Sequence, residues 1–300
     1  MADNEKLPLF GFLNVYKPKG MTSHDVVARL RRVTKIKQIG HTGTLDPFAV
    51  GVLPICIGKA TKLIEYLDDD KEYQAIVQFG KNTDTYDIDG QIVDSFNKKV
   101  SKDELVKALE GFRGEIEQLP PIYSAIKVKG KKLYEYARAG EDVEITPRKV
   151  FISKLELLDF DEENQTAKLA VGCSKGTYIR SVAYDLGKTL GCGGYLTGLE
   201  RTKAGMFLAS GAINLDEFET LSDVECSLIN PLEVMNLPQY LLNDKERERV
   251  SHGMSLNNKN FKNSDIVFLV YGGKIYAIGK VEDNRILVKK VFGWKRFCYC

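Results

Sequence analysis

The chain is short of the residues that metal sites and disulfide scaffolds require. Its 300 residues include only three histidines, His24, His41 and His252. None of them is spaced with a cysteine as a metal-ligand set would be. The six cysteines, Cys56, Cys173, Cys192, Cys226, Cys298 and Cys300, form no C-x-x-C pair. A chain of this length does not depend on a disulfide framework, so reduced thiols are expected. Cys298 and Cys300 offer two ligands on a tail, too few to close a zinc site. Long apolar runs are missing as well. The longest uncharged stretches, 47–58 and 204–215, are twelve residues each, short of the ~20 that a membrane helix needs. The first residues, MADNEKLP, carry charge where a signal peptide places its apolar segment. No export signal is visible and a cytoplasmic location is expected.

Cofactor motifs are equally scarce. Gly58-Lys-Ala-Thr61 resembles the end of a phosphate-binding loop, but Leu53 stands where the first glycine belongs and alanine follows the lysine. Gly191-Cys-Gly-Gly194 is no dinucleotide motif, because Leu196 replaces the last glycine and a helical pattern precedes it. Neither a metal nor a cofactor is expected. Any chemistry falls to ordinary side chains.

What is present is a globular composition, 43% hydrophobic and 28% charged, and a length that suggests two domains. The net charge of +2 conceals strong segregation. Lys17, Lys19, Arg29, Arg31, Arg32, Lys35 and Lys37 face one acid, Asp25, over the same stretch. Lys127, Lys129, Lys131 and Lys132 form a second basic cluster, and Lys289, Lys290, Lys295 and Arg296 a third. Acids gather at 68–70 and between 216 and 225. A near-neutral total with separate basic patches suits a protein that meets a polyanion on one face.

Hydrophobic spacing predicts a helix capped by Thr22 or Ser23 and running to about Lys35, with Val26, Val27, Leu30 and Val33 buried. The stretch 40–46, GHTGTLD, has no period and reads as a loop. Pro47 fits a first helical position, which makes Asp46 a candidate N-cap. A second helix is expected after Gly58, on Ala60, Leu63, Ile64 and Leu67. Residues 72–79, 150–158 and 168–173 read as strands. Ser101 and Glu104 form a capping box before Leu105 and Leu109. Ile179, Val182, Ala183, Leu186 and Leu190 mark a helix that Gly191 can end. From about residue 240 the chain is β-rich, with turn signals at Gly272-Gly273 and Asp283-Asn284.

Three segments place polar groups at the edges of these elements: His41-Thr-Gly-Thr-Leu-Asp46, Asp70-Lys-Glu-Tyr73, and the glycine-bearing turn Cys173-Ser-Lys-Gly-Thr-Tyr178-Ile-Arg180. Each has an ordinary reading. Asp46 caps a helix, Tyr73 is a core or rim residue, and Arg180, next to the apolar Ile179, lies on a solvated face. Taken together with GFLNVYKPKGMTS (11–23), GHTGTLDPFAVGVLP (40–54) and GYLTGLERTKAG (194–205), they follow the order and spacing of one family. The chain resembles the bacterial tRNA pseudouridine-55 synthases of the TruB family, most specifically from about residue 9 to 210.

The resemblance implies an α+β fold: a mixed, mainly antiparallel sheet of pseudouridine synthase type flanked by helices, followed by a small β-rich PUA-like domain. It divides the chain at 1–236 and 237–300, with an RNA-clasping insertion at about 124–150. It implies isomerisation of uridine to pseudouridine at position 55 in the T-loop of tRNA, with no cofactor. Asp46 matches the essential carboxylate and Arg180 its partner. A carboxylate serves as nucleophile or base only while ionised, the form a neighbouring guanidinium favours. Tyr73 and Tyr178 match the tyrosines that meet the flipped base, and Tyr73 is also the candidate for proton removal at C5. His41 matches the histidine that enters the disrupted loop, Leu199 the apolar pocket wall, and Lys127, Lys129, Lys131 and Lys132 lie in the insertion. Lys17 and Pro18 are expected to support the catalytic loop. Val50 and Tyr16 depart from the family pattern, which has threonine and Asp or Asn there. The partners implied are the T-arm of tRNA, no membrane and no guide RNA, with the protein a monomer. The alternatives are an RNA-binding tRNA folding chaperone of the same fold without catalysis, and a guide-dependent relative.

Overall fold

The structure is a computed structural model that describes residues 9–258 and 260–293. Lys295, Arg296, Cys298 and Cys300 lie outside the described residues. Strand β1 (Gly11–Lys17) leads into helix α1 (Ser23–Thr34), where Thr22 accepts from the Asp25 amide and the Asp25 carboxylate accepts from that of Thr22. Val26, Val27 and Leu30 are buried as their spacing requires. Then follow β2 (Ile39–His41) and β3 (Val50–Ile57).

No helix begins at Pro47. Residues 47–49 form a turn, the Ala49 amide donates to the Asp46 carbonyl, and the chain enters β3 at once. The run 50–57 is apolar on both sides because it lies inside the sheet with cover on both faces, which erases the usual alternation. Gly51 fixes its course. It adopts φ +105°, and a Cβ there would stand 2.3 Å from the carbonyl oxygen of Arg201. Residues 58–66 do turn helically, but as a 3-10 helix that Ile57 leaves without a side-chain cap.

Next come β4 (Lys71–Phe79), the pair β5 (Lys81–Thr83) and β6 (Ile92–Ser95), α2 (Lys102–Glu110) behind its Ser101–Glu104 capping box, and β7 (Gly114–Gln118). A small hairpin, β8 (Lys127–Val128) and β9 (Lys131–Lys132), precedes α3 (Leu133–Ala139). The long antiparallel strands β10 (Arg148–Asp161) and β11 (Thr166–Cys173) lead through the Gly176 turn to α4 (Ile179–Leu190), which Gly191 ends in the left-handed region. Strands β12 (Gly194–Ala204), β13 (Phe207–Leu208) and β14 (Ile213–Asn214) follow, then α5 (Leu221–Cys226) and α6 (Pro231–Val234). The chain continues through β15 (Gln239–Leu241), α7 (Asp244–Ser251), β16 (Leu256–Asn257), β17 (Ile266–Tyr271), β18 (Lys274–Glu282) and β19 (Arg285–Val291). Both expected turns, at 272–273 and 283–284, have two consecutive positive φ angles, the geometry a tight hairpin prefers.

The main sheet runs β14-β1-β3-β12-β4-β11-β10-β7, with β2 beside β3 and β13 beside β12. Its pairings are antiparallel except β1 with β14 and β3 with β12, so the sheet is mixed and mainly antiparallel. One face buries Leu13, Val15, Leu53, Ile55, Ala75 and Val77 beneath α1, α2, α4 and α5. On the other, Phe12, Val52, Cys56 and Phe207 join Phe268 and Ile278 of the second sheet, and Phe292 just after it, in one apolar cluster. That second sheet runs β15-β17-β18-β19-β16. Among the described residues no helix is long and apolar enough to cross a membrane.

Candidate active site

Asp46 lies in the loop between β2 and β3, and three buried side chains hold that loop through its backbone. Ser23 Oγ accepts from the Leu45 amide and donates to the Leu45 carbonyl, at 2.8 and 3.0 Å. Lys17, which has no exposed surface, directs its Nζ to the carbonyls of Pro18, Met21 and Pro47 at 2.9, 2.7 and 3.3 Å. Its expected supporting position is therefore observed directly. Burial draws the Lys17 ammonium down to about 8, against the pull of Asp46. Arg201, 1% exposed, donates to the carbonyls of Val52, Thr44 and Gly43 at 2.7, 3.3 and 3.1 Å. Sequence reasoning passed over Arg201, because an arginine at alternating strand spacing carries no mark of burial.

The carboxylate meets Arg180, the second residue of α4. Arg180 Nε stands 3.0 Å from Asp46 Oδ2, and Nη2 donates to Oδ1 at 3.2 Å. The side chain of Asp46 keeps 29% of its surface exposed while that of Arg180 keeps 5%. The pair is closed from behind and open in front. Arg180 is thus not on a solvated face. The loop at 84–87 and the carbonyl of Tyr123 cover that side of α4, and Nη1 and Nη2 donate to Thr85 and Tyr123 at 3.0 Å each.

A second carboxylate was not anticipated. Asp87 Oδ2 lies 3.3 Å from Arg180 Nη1, so the guanidinium is shared between two acids. Thr85 Oγ1 donates to Asp87 Oδ1 at 2.6 Å and the Asp89 amide donates to it at 3.1 Å. Burial pushes the Asp87 carboxyl up, while Thr85 and Arg180 oppose that rise. The loop is locked onto α4 by Tyr86, whose ring stacks on Tyr184 with centroids 4.0 Å apart. The available signal was the acid-dense run Asp84-Thr-Tyr-Asp87-Ile-Asp89-Gly90 between two strands.

Sheet register brings in the remaining groups. Tyr73 on β4 pairs with Arg201 on β12, and Leu199 with Ala75, so Tyr73, Leu199 and Arg201 share one face. Tyr73 and Leu199 are 8% and 7% exposed. Burial pushes the Tyr73 phenol up and Arg201 pulls it back, with Asp46 adding a smaller upward push. Tyr178 precedes α4, and its phenol too is raised by burial and within reach of the Asp46 and Arg180 charges. His41 closes β2, and burial lowers its imidazole with help from Arg201, which favours the neutral ring at pH 7. Asp46 thus faces Arg180 directly and acts on both Tyr73 and Tyr178, with His41 and Leu199 on β2 and β12, which both pair with β3. The four lysines lie elsewhere, on the β8–β9 hairpin. Lys127 and Lys129 are exposed. Lys131 pairs with Glu141 at 2.8 Å and sits 4.6 Å from the Tyr136 ring centre. Lys132 donates to the Tyr134 hydroxyl at 3.2 Å.

Residues 31–179 match the family model described as TruB family pseudouridylate synthase, N-terminal domain. A tRNA pseudouridine synthase B from Oceanobacillus iheyensis is 43% identical over 298 residues, 95% of this chain and 98% of that protein. One from Heliobacterium mobile is 41% identical, covering 96% and 97%. The chain belongs to the TruB family. As a TruB-family member it is a pseudouridine synthase, an isomerase, and the chaperone reading is not favoured. Among solved structures, an archaeal box H/ACA sRNP Nop10–Cbf5 complex aligns with a TM-score of 0.68 at 26% identity, over 94% of this chain and 86% of that one. An H/ACA RNP bound to a substrate RNA containing 2′-deoxyuridine aligns at 0.70 with 24% identity, over 98% and 92%, which supports the fold. The two family departures are accommodated. Val50 opens β3 at its half-buried end, and Tyr16 donates to Glu200 at 3.0 Å on the opposite sheet face.

Proposed function

We propose that this protein isomerises uridine to pseudouridine at position 55 in the T-loop of tRNA. The observation that carries the reading is the Asp46–Arg180 pair, closed behind and open in front, beside two phenols. RNA binding alone has no use for a half-open carboxylate facing a polyanion. In the reaction the C1′–N1 bond breaks, the detached uracil turns, and C5 bonds to C1′ while C5 loses a proton and N1 gains one. Asp46, paired with Arg180 at 3.0 and 3.2 Å, is the essential carboxylate. A T-loop uridine must first leave its stack, at roughly a few kcal/mol. Tyr73 and Tyr178 recover that loss as aromatic surfaces, His41 meets the opened loop, and Leu199 walls the pocket. Tyr73 is the candidate for taking the C5 proton.

In this reading residues 1–236 are the catalytic unit, 124–150 clasp the RNA stem-loop through Lys127, Lys129, Lys131 and Lys132, and 237–300 form a PUA-like RNA-binding unit. RNA is read mainly through shape and backbone. The enzyme acts as a monomer in the cytoplasm without guide RNA. The test is to map pseudouridine by chemical adduct and reverse transcription on a bare tRNA transcript incubated with the purified protein. A signal at position 55 is expected. Asp46→Asn should abolish it with tRNA affinity kept within about threefold, and turnover of that variant near the parent rate refutes the assignment.

A further inference from the structure

Gln118, the last residue of β7, is 1% exposed, yet its carboxamide serves a single other residue. Its Oε1 accepts from the Tyr178 amide at 2.8 Å and its Nε2 donates to the Tyr178 carbonyl at 3.1 Å. A strand neighbour would exchange this same pair of bonds. Gln118 therefore replaces a sheet partner just where β11 has ended and α4 has not begun. Tyr178 holds extended angles there, φ −99° and ψ 111°, and no side chain caps the helix. Further contacts tie the same two stretches together. Ser181 Oγ donates to the Leu119 carbonyl at 2.8 Å, and Arg180 Nη2 donates to that of Tyr123 at 3.0 Å. Pro120 and Pro121, within the first stretch, are buried. Residues 118–124 are thus a strap fastened to 178–181, and the strap is also the root of the β8–β9 hairpin segment.

We infer that Gln118 is a positioning residue: it fixes the backbone from which Tyr178 and Arg180 reach the target base and Asp46. The inference rests on the reading of these residues as a uridine-isomerising site. Tyr178 and Arg180 are two residues apart, so one rotation at position 178 displaces both. The Asp46 and Asp87 contacts tolerate little displacement, and a shift near 1 Å can lower a rate about 10²-fold. Binding of RNA draws on many further backbone contacts, so affinity changes far less than the rate.

The test compares Gln118→Leu and Gln118→Glu with the parent in single-turnover pseudouridine formation at saturating tRNA, filter binding and melting. Gln118→Leu should slow formation by about 10- to 100-fold with less than threefold change in Kd. Gln118→Glu keeps an acceptor for the Tyr178 amide and should recover part of the rate. In an Arg180→Lys background the Gln118→Leu effect should shrink below about threefold, since both act on one element. Full rate in Gln118→Leu, or an equal loss in both backgrounds, overturns the inference. Should the leucine variant lose its melting transition, Gln118→Glu decides: parent rate overturns the role, and a slowed rate with parent affinity supports it. If the parent itself forms no pseudouridine, the reading of the site fails first and this one falls with it.

Discussion

Replacing Arg180 by methionine keeps the aliphatic stem and removes a guanidinium with five close contacts: two to Asp46, one to Asp87, and one each to the carbonyls of Thr85 and Tyr123. The side chain of Asp87 is 7% exposed and cannot regain water. Removing one partner of such a buried pair destabilises by about 3–5 kcal/mol. At about 2–4 °C per kcal/mol for a protein approaching this size, the melting point should fall by on the order of 10 °C. The loss should shrink as pH falls from neutral toward the ordinary carboxylate range. Asp87 is already pushed up by burial and rises further without Arg180, so the native state takes its proton before the unfolded state does. The double variant Arg180→Met/Asp87→Asn retains an acceptor for Thr85 and Asp89 without the charge, so it should regain most of the stability. Activity should not return, because Asp46 still lacks its partner, and single-turnover formation should stay at least about 10²-fold below the parent. Differential scanning fluorimetry at two pH values, paired with the pseudouridine assay, measures both effects. A single variant melting within about 2 °C of the parent, or a double variant with no recovery, refutes the claim that Arg180 neutralises two carboxylates.

Three other outcomes follow from contacts described above. Lys127→Ala and Lys129→Ala should weaken tRNA binding and flatten its salt dependence, with Lys131→Ala less effective because Glu141 already pairs with that ammonium; equal salt slopes for all variants would place the hairpin away from RNA. Lys17 is lowered from 10.5 to about 8 by burial, so between those values the unfolded state holds more protons and stability rises with pH. Relative to Lys17→Met, the parent should therefore gain up to about 3 kcal/mol across that window in denaturant titrations, and a flat difference would contradict the burial of this charge. Gly51→Ala must relieve both a positive φ and a 2.3 Å approach to Arg201, so a folded, fully active variant with an unchanged melting point would count against the close β3–β12 pairing.

The elements that could be read from the chain were those whose buried stripe is local. Helices α1 and α4, the capping box at Ser101 and the hairpin turns at 272 and 283 each carry their cause within a few residues. The segment after Asp46 was misread because its cause is remote. Pro47 looks like a helix start only until β12 is known to lie against Gly51. The uniformly apolar 50–57 becomes a strand because a second sheet covers its back. Arg180 follows the same logic, since local spacing puts it in water and the distant loop at 84–87 encloses it. Motif order named the candidate site residues, of which the structure sets Arg180 against Asp46 and leaves the four lysines on a separate hairpin. It could not reveal Asp87, Arg201 or Gln118, whose significance lies in backbone carbonyls and in neighbours far along the chain.

The apolar cluster common to both sheets has a mechanical corollary. Phe12 and Val52 sit on the reverse of the strands that hold the Asp46 loop, and they are packed against Phe268 and Phe292. The interval between Asp46 and the outer surface of the terminal sheet is therefore set by side-chain volumes rather than by a tether. On the proposed reading that the terminal sheet also holds RNA, the distance between its two points of grip is set by that packing.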